Sequence, residues 1–473
     1  MTATTLDRSQ LTMRDRIKNP DHHSVMLGRA QLGFPVRLPC EEHAVIIAPP
    51  RTYKSALLAK IILRYQGPVL STTTRADLYR NTERARRKLG GTVHTFNPQG
   101  IGRVPSTFAF DVIGGTPEDR GCLDISTAIR RADAFAYAVS AQGMEDGAFW
   151  ASKTSGYLRA FFYGAAYARS QGANFGLADV ARWALSDRSE QAEDILKDAG
   201  AGHWSEEVRQ LRGEARKTSE TIRMYLSQAL QFMADPALAA AVSPRPDEPP
   251  FDLHGFATSQ DTLYMIAQGQ DEHSPMAGLF ACLASEIHYA AGMAGSFADT
   301  GRLPRPMLLA LDEVCQLCPV PLASWMADSG GKGIQVVAVG HGEAQFRAKF
   351  GASSARQIFD CAGLLAVLPG VTDPETLRMV SQACGSIQMR HYGSDNYTSV
   401  PVMDEAMVRQ LPRGRALLLR NNLSPVIIRA GRVWDDPLYK LLRREPQPQP
   451  SRHPLAIVPG ELVGPDESSS EAA

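Results

Sequence analysis

Lys54-Ser55 and Asp312-Glu313 are the two residue pairs in this chain suited to chemistry on a phosphate. The first pair closes the segment Ile46-Ile47-Ala48-Pro49-Pro50-Arg51-Thr52-Tyr53-Lys54-Ser55, an apolar run followed by a loop that enters a helix. At such a turn a lysine and backbone N–H groups hold the β- and γ-phosphates, and a hydroxyl binds Mg²⁺. The second pair ends another apolar run, Met307-Leu308-Leu309-Ala310-Leu311. There Asp312 would orient the metal and Glu313 would polarise water. A buried strand rarely ends in two carboxylates without a cation or a structural partner nearby. The expected phosphate loop is therefore Ala48, Pro49, Pro50, Arg51, Thr52, Tyr53, Lys54 and Ser55, with Ser55 and Asp312 as the metal ligands.

The phosphate-loop pattern G-x-x-x-x-G-K-[ST] asks for glycine where this chain has Ala48 and Tyr53. Glycine suits those positions because the loop wraps a phosphate closely. Ala48 is a small change. Tyr53 is a large one, tolerable where its ring points away from the phosphate. Taken alone the loop also fits an ordinary strand–loop–helix, and the acidic strand is what favours a nucleotide.

These residues need a scaffold. A chain of 473 residues exceeds one compact core, which predicts two domains. Hydrophobic content of 44% and charged content of 21% are those of a soluble globular protein. Lys+Arg and Asp+Glu balance at 50 each, so any nucleic-acid surface must be a local patch or a pore. The seven cysteines are too scattered for a disulfide framework and fit a reducing cytoplasm. Cys315 and Cys318 have C-x-x-C spacing but no second pair at zinc-ribbon distance, and core packing is the expected role. No stretch reaches the roughly 18 apolar residues that span a bilayer. Residues 1–19 lack the apolar core of a signal peptide.

Along the chain, residues 1–43 read as a loosely structured lead-in. From Ala44 strand-like and helix-like runs alternate, with strands at 44–48, 67–71 and 92–96 and helices at 55–65 and 77–89. That rhythm predicts a parallel sheet. The basic run Arg84, Arg86, Arg87 and Lys88 reads as a solvated helix face. Over 126–235 strand signals vanish and helical spacing takes over, as in Val208, Leu211, Ala215, Thr218, Ile222, Leu226 and Leu230, up to Pro236. The aromatics Phe149, Trp150, Tyr157, Phe161 and Phe162 fit helical core better than base stacking. Strands resume at 262–267, 307–311 and 333–340, with more at 363–368 and 415–419. The expected organisation is an α/β domain of residues 44–125 and 236–444, an inserted all-α domain of 126–235, and a Pro-, Ser- and acid-rich disordered tail of 445–473.

The order of these elements resembles the type IV secretion coupling ATPases, the TraG/TraD-type proteins of bacterial conjugation. The likeness runs over most of 40–435. It rests on the loop at 48–55, on Asp77-Leu78-Tyr79 with Thr82 and Arg86, and on Val93-His94-Thr95-Phe96-Asn97-Pro98. It also rests on Phe149-Trp150, Leu311-Asp312-Glu313, the run from Gly331 to His341, Gln345-Phe346, Phe350-Gly351, Thr372-Asp373-Pro374-Glu375-Thr376 and Leu411-Pro412-Arg413-Gly414-Arg415. The resemblance implies a RecA-like P-loop NTPase fold related to the FtsK/HerA translocases, with ATP and Mg²⁺ as cofactors. It implies a homo-hexamer with ATP at subunit boundaries and single-stranded DNA in a central channel. Relaxase or relaxosome and type IV secretion components are the implied partners.

Besides Tyr53 where the family has glycine, three departures from its pattern stand out. The family's membrane form has N-terminal transmembrane helices and this sequence has none, so a cytoplasmic protein recruited to the membrane by a partner is expected. His341 stands where a glutamine usually senses the γ-phosphate, and imidazole can still donate one hydrogen bond. Lys332 is the nearest basic residue to the family's candidate arginine finger, and it lacks the bidentate fork. The expected function is an ATP-dependent motor of conjugative DNA transfer. A weakly hydrolysing or non-hydrolysing adaptor that recruits relaxosome or effector proteins, or a FtsK/HerA-like translocase, are the alternatives.

Overall fold

The computed structural model describes residues 20–115, 120–140, 147–185, 189–213, 216–244, 249–269, 274–390, 397–421 and 423–444. The residues expected to form a tail, 445–473, lie outside that range, as do residues 1–19.

Apolar four- to seven-residue runs separated by helices build the centre of one eleven-stranded sheet. Its strands are β1 (Ser24–Arg29), β2 (Pro35–Pro39), β3 (Ala44–Ile47), β4 (Val69–Thr73), β5 (Val93–Phe96), β6 (Thr262–Ile266), β7 (Met307–Leu311), β8 (Ile334–Gly340) and β9 (Leu364–Val367). A hairpin of β10 (Ser386–Arg390) and β11 (Tyr397–Pro401) stands apart, and β12 (Arg415–Arg420) and β13 (Leu423–Ala430) return to the large sheet. Its order is β2-β1-β13-β12-β9-β3-β8-β7-β4-β6-β5.

From β9 to β5 all neighbours are parallel. Every residue of β3, β4, β6, β7 and β8 is buried, as a sheet covered on both faces requires. Alternate residues serve opposite layers. Ile46, Leu308, Ala310, Val337 and Val339 pack on helix α1 (Lys54–Leu63), which turns Leu57, Leu58, Ile61 and Ile62 to the sheet. Val45, Ile47, Leu309, Leu311, Val336 and Ala338 face the other layer.

That other layer is helical. After helix α2 (Asp77–Lys88) and strand β5 come α3 (Ile125–Val139), α4 (Gly147–Ser170), α5 (Leu177–Leu185), α6 (Ser189–Asp198), α7 (Gly202–Gly213) and α8 (Arg216–Leu230). The helical region extends past 235. Asp235 caps a further short helix, Pro236–Ala240, through the Ala237 N–H, and another follows at Leu253–Thr258 before β6. The preceding helix has already ended at Leu230, and Pro236 opens the next one, where its missing N–H is harmless. The helices share one continuous hydrophobic cluster with the sheet and with α9 (Ala277–Phe297). Tyr157, Phe161 and Phe162 belong to that cluster, and Trp150 packs against it.

Two expectations change. Residues 24–39 are a β-hairpin at the sheet edge, not a loose lead-in. β1 pairs with β13, about 400 residues away in sequence, and with β2. Gly28 makes that pairing possible, because a Cβ there would stand 2.2 Å from the Arg429 carbonyl oxygen. Arg86 is fully buried instead of solvated, with hydrogen bonds to Thr262 Oγ1 (2.7 Å), the Gly67 carbonyl (2.7 Å) and the Gln260 carbonyl (3.0 Å). Its guanidinium ties α2 to the loops before β4 and β6.

Candidate functional site

In a parallel sheet the loops after the strands gather at one end, and that end is where ligands bind. Here β3, β4, β7 and β8 deliver the phosphate loop, Thr73-Thr74-Arg75, Asp312-Glu313 and His341 to it. Because β8 lies between β3 and β7, His341 emerges between the loop and the carboxylates. A cavity of about 470 Å³ opens there, lined by Pro50 to Ala56, Thr73 to Arg75, Asp77, Leu78, Asn81, Glu313, His341 and Trp434.

The charges converge beneath it. Lys54 Nζ contacts Glu313 Oε1 and stands 3.6 Å from Asp312 Oδ1. His341 Nε2 is 3.3 Å from Glu313 Oε2, and Nδ1 is 3.2 Å from the Ala48 carbonyl. Asp312 and Glu313 are 2% and 7% exposed, and neither Asp312 Oδ1 nor Glu313 Oε2 accepts a hydrogen bond. Buried carboxylate oxygens without donors are costly, so these two suit a cation or donor from outside the chain. Burial pushes the Asp312 carboxyl up and Lys54 draws it back; burial pushes the Lys54 ammonium down and Asp312 supports it.

Backbone geometry shapes the loop. Tyr53 adopts φ 69°, the left-handed conformation for which glycine is the usual residue. Its ring packs edge-on against Trp434, at 6.0 Å between centroids. Ala48 is not among the residues with positive φ, so alanine at the other glycine position is unstrained. Ala48 continues the β3 ladder, donating to the Gly340 carbonyl at 2.9 Å. Arg51 (φ 65°) and Glu313 (φ 52°) are also left-handed, a strain concentrated at this site. Thr72 Oγ1 pins the turn after β7 by donating to the Asp312 carbonyl at 2.8 Å.

His341 is held on two sides. Its N–H donates to Gln345 Oε1 at 2.9 Å. A backbone carbonyl can only accept, so the contact with Ala48 assigns a hydrogen to Nδ1. A neutral ring in that tautomer leaves Nε2 without a hydrogen opposite Glu313 Oε2, a contact that becomes attractive only when the ring or the carboxylate takes up a proton. Burial holds His341 below the ordinary histidine range.

The structure thus brings together Lys54, Asp312, Glu313 and His341, with Ser55 lining the same cavity. Lys332 is elsewhere. It precedes β8 at the far end of the strands and pairs with Asp328. Cys315 and Cys318 are buried thiols in the core, with Cys315 pushed up to about 12 by burial. No metal-holding cluster of His, Cys, Asp and Glu occurs among the described residues. Arg75 and Trp434 were not anticipated. Arg75 follows a strand in the same sheet, which was a usable signal; Trp434 had none.

Residues 306–418 match the family model described as the TraM recognition site of TraD and TraG. Over those residues the chain is similar to the TraG and TraD proteins. The matched region starts just before β7 and carries Asp312, Glu313, Lys332 and His341. No curated protein matches the chain significantly. Among solved structures, the unbound monoclinic form of the bacterial conjugative coupling protein TrwBdeltaN70 is 18% identical, with a TM-score of 0.60 over 83% of this chain and 86% of that one. The plasmid coupling protein TrwB in complex with ADP and Mg²⁺ is 16% identical, with a TM-score of 0.60 over 83% and 87%. TrwB with the non-hydrolysable GTP analogue GDPNP is 16% identical, with a TM-score of 0.60 over 84% and 88%. At these identities the likeness establishes the fold alone, a mixed α/β architecture around a mostly parallel sheet. No helix among the described residues is long and apolar enough to cross a membrane.

Proposed function

We propose that this TraG/TraD-like chain is a coupling-type ATPase of conjugative DNA transfer, moving or recruiting single-stranded DNA and relaxase. One observation carries the reading. Lys54, Asp312, Glu313 and His341, drawn from three separate strands, meet under one cavity with two buried carboxylate oxygens lacking donors. Relatives of the same fold are described with ADP and Mg²⁺ and with a GTP analogue, which supports a Mg-nucleotide here.

The donor set fits that ligand. Backbone N–H groups of Arg51 to Ser55 and the Lys54 ammonium would hold the phosphates. Ser55 and Asp312 would hold Mg²⁺, which when bound offsets phosphate charge. Glu313 Oε2, which accepts no hydrogen bond, is suited to aligning water, and releasing Oε1 requires Lys54 to turn from the carboxylate to the phosphates. His341 lies between the two groups and would report the change. Lys332, at the opposite end of the strands, would act only on a neighbouring subunit's nucleotide, as in a hexameric ring. Type IV secretion components and a membrane-bound partner complete the proposed setting, with the protein cytoplasmic until recruited.

ATP turnover measured with and without single-stranded DNA tests this. Stimulated turnover in the wild type, with Glu313→Gln retaining ATP unhydrolysed, is the expected result. Absence of Mg-ATP binding at millimolar nucleotide would favour a recruiting adaptor instead.

A further inference from the structure

Trp434 has no role in the chemistry described above, yet it stands on the rim of the same cavity. It is 36% exposed, and Tyr53, against which it packs edge-on, is 44% exposed. Two large exposed aromatics side by side at the mouth of a charged cavity call for a reason. The Arg432 guanidinium lies 5.8 Å from the Trp434 ring centroid and pairs with Asp435, so the indole is held on its own segment as well.

The ring is fixed relative to the phosphate loop. Trp434 belongs to a single turn, Val433–Asp435, in which Val433 is buried in the core beneath α1. Asp436, 1% exposed, contacts Lys60 and accepts from Arg64 Nε at 3.0 Å and Nη2 at 2.9 Å. Lys60 lies on α1, the helix that begins with Lys54, and Arg64 caps that helix. Tyr439 Oη donates to Asn81 Oδ1 on α2 at 2.9 Å, and Arg84 Nη1 donates to the Leu442 carbonyl at 2.8 Å. The segment after β13 is therefore a strap across α1 and α2, tied to the helix that begins at Lys54.

The cavity lining carries charged and polar groups, Lys54, Ser55, Glu313 and His341, together with two aromatic rings, Tyr53 and Trp434. A nucleotide has the same two parts, an anionic phosphate chain and a flat heterocycle. We propose that Trp434, braced by Tyr53, is the surface on which the base of the bound nucleotide stacks. This rests on the nucleotide reading of the site and assigns it a residue for base recognition. It also gives Tyr53 a use at a position where glycine would be unstrained. Stacking reads the π-face of a base rather than its edge, so the site would accept adenine and guanine nucleotides alike.

The test separates the base from the phosphates. Dissociation constants are measured for Mg-ADP, Mg-GDP and inorganic tripolyphosphate with the full chain, Trp434→Ala and Trp434→Phe. Trp434→Ala is expected to weaken both nucleotides about tenfold, the usual size of one lost base–aromatic stack, and to leave tripolyphosphate unchanged. Trp434→Phe should stay within about threefold of the wild type. Equal loss for all three ligands, or no loss for the nucleotides, would overturn the stacking role. A wild type that binds nucleotides and tripolyphosphate equally well would also overturn it. A wild type that binds none of the three would remove the nucleotide reading, and the platform with it. Should Trp434→Ala fail to fold, intrinsic fluorescence decides. Quenching by Mg-ADP, absent with tripolyphosphate and absent in Trp434→Phe, supports the platform, and no quenching in the wild type contradicts it.

Discussion

Two buried clusters of charge in this molecule are built in opposite ways. Between α3 and α9, Glu286 accepts from Arg130 Nε at 2.6 Å and Nη2 at 3.2 Å, and from Arg131 Nε at 3.0 Å. Arg131 also donates to the Val112 and Gly114 carbonyls at 2.8 and 2.9 Å. Under the phosphate loop, Lys54, Asp312, Glu313 and His341 are as tightly grouped but leave two carboxylate oxygens without a donor. Completed pairing locks the first cluster; incomplete pairing leaves the second able to take an added cation or donor. A satisfied buried charge marks structure, and an unsatisfied one beside an open cavity marks a binding site.

The largest expected effect is in the paired cluster. Glu286→Gln strands two guanidinium groups, one fully buried, and should lower unfolding stability by about 3–5 kcal/mol in denaturant titration. Nucleotide affinity of the folded fraction should not change. A stability loss below about 1 kcal/mol would show that this cluster is not a lock.

Asp436 extends the paired class to the strap. Burial opposes its charge, but hydrogen bonds from Arg64 and Lys60 hold the carboxyl down at about 2. A folded value below the unfolded one near 3.8 means its stabilisation is complete above about pH 4 and is lost as pH falls toward 2. Asp436→Asn should therefore cost about 2 kcal/mol at pH 7 and nothing near pH 2. Equal destabilisation at both pH values would rule out the ionised pair as its source.

Asp312 should behave in the reverse sense. Its carboxyl is raised by burial, so the charge opposes folding once pH exceeds the unfolded carboxylate value. Asp312→Asn should leave the ligand-free protein as stable as the wild type or more stable by about 1 kcal/mol, while abolishing the rise in Tm given by Mg-ATP. A variant that loses stability without ligand would place Asp312 in the structural class.

The smallest effect concerns His341. With Nδ1 given to the Ala48 carbonyl and burial lowering its pKa, the ring offers a phosphate no hydrogen from Nε2 until it is protonated. Turnover should rise several-fold as pH falls from 8 toward 6. His341→Gln, whose amide donates at every pH, should flatten that profile, and an unchanged profile would remove His341 from the sensing role.

The same contrast explains what the sequence could reveal. Lys54-Ser55 and Asp312-Glu313 were legible because each follows an apolar strand, and strand ends in a parallel sheet meet at one place. His341 was placed by the same logic. The β1–β2 hairpin was not legible, since its partner β13 lies near the far end of the chain and β1 lacks clean alternation. Trp434 was hidden for the same reason, brought to the loop by the Asp436 strap and not by any local pattern. Arg86 misled because a basic run looks solvated until one knows that three carbonyls and Thr262 surround one of its members. The left-handed backbone of Tyr53 was not legible either, since its residue type does not announce a positive φ.

Calorimetric titration of Mg-ATP into the wild type and into Lys54→Ala tests the central claim most directly. The account predicts saturable binding at or below millimolar nucleotide in the wild type and none in the variant, because Lys54 is the cation grouped with both carboxylates under the loop. Equal binding by the two proteins, or no binding by either, would contradict it.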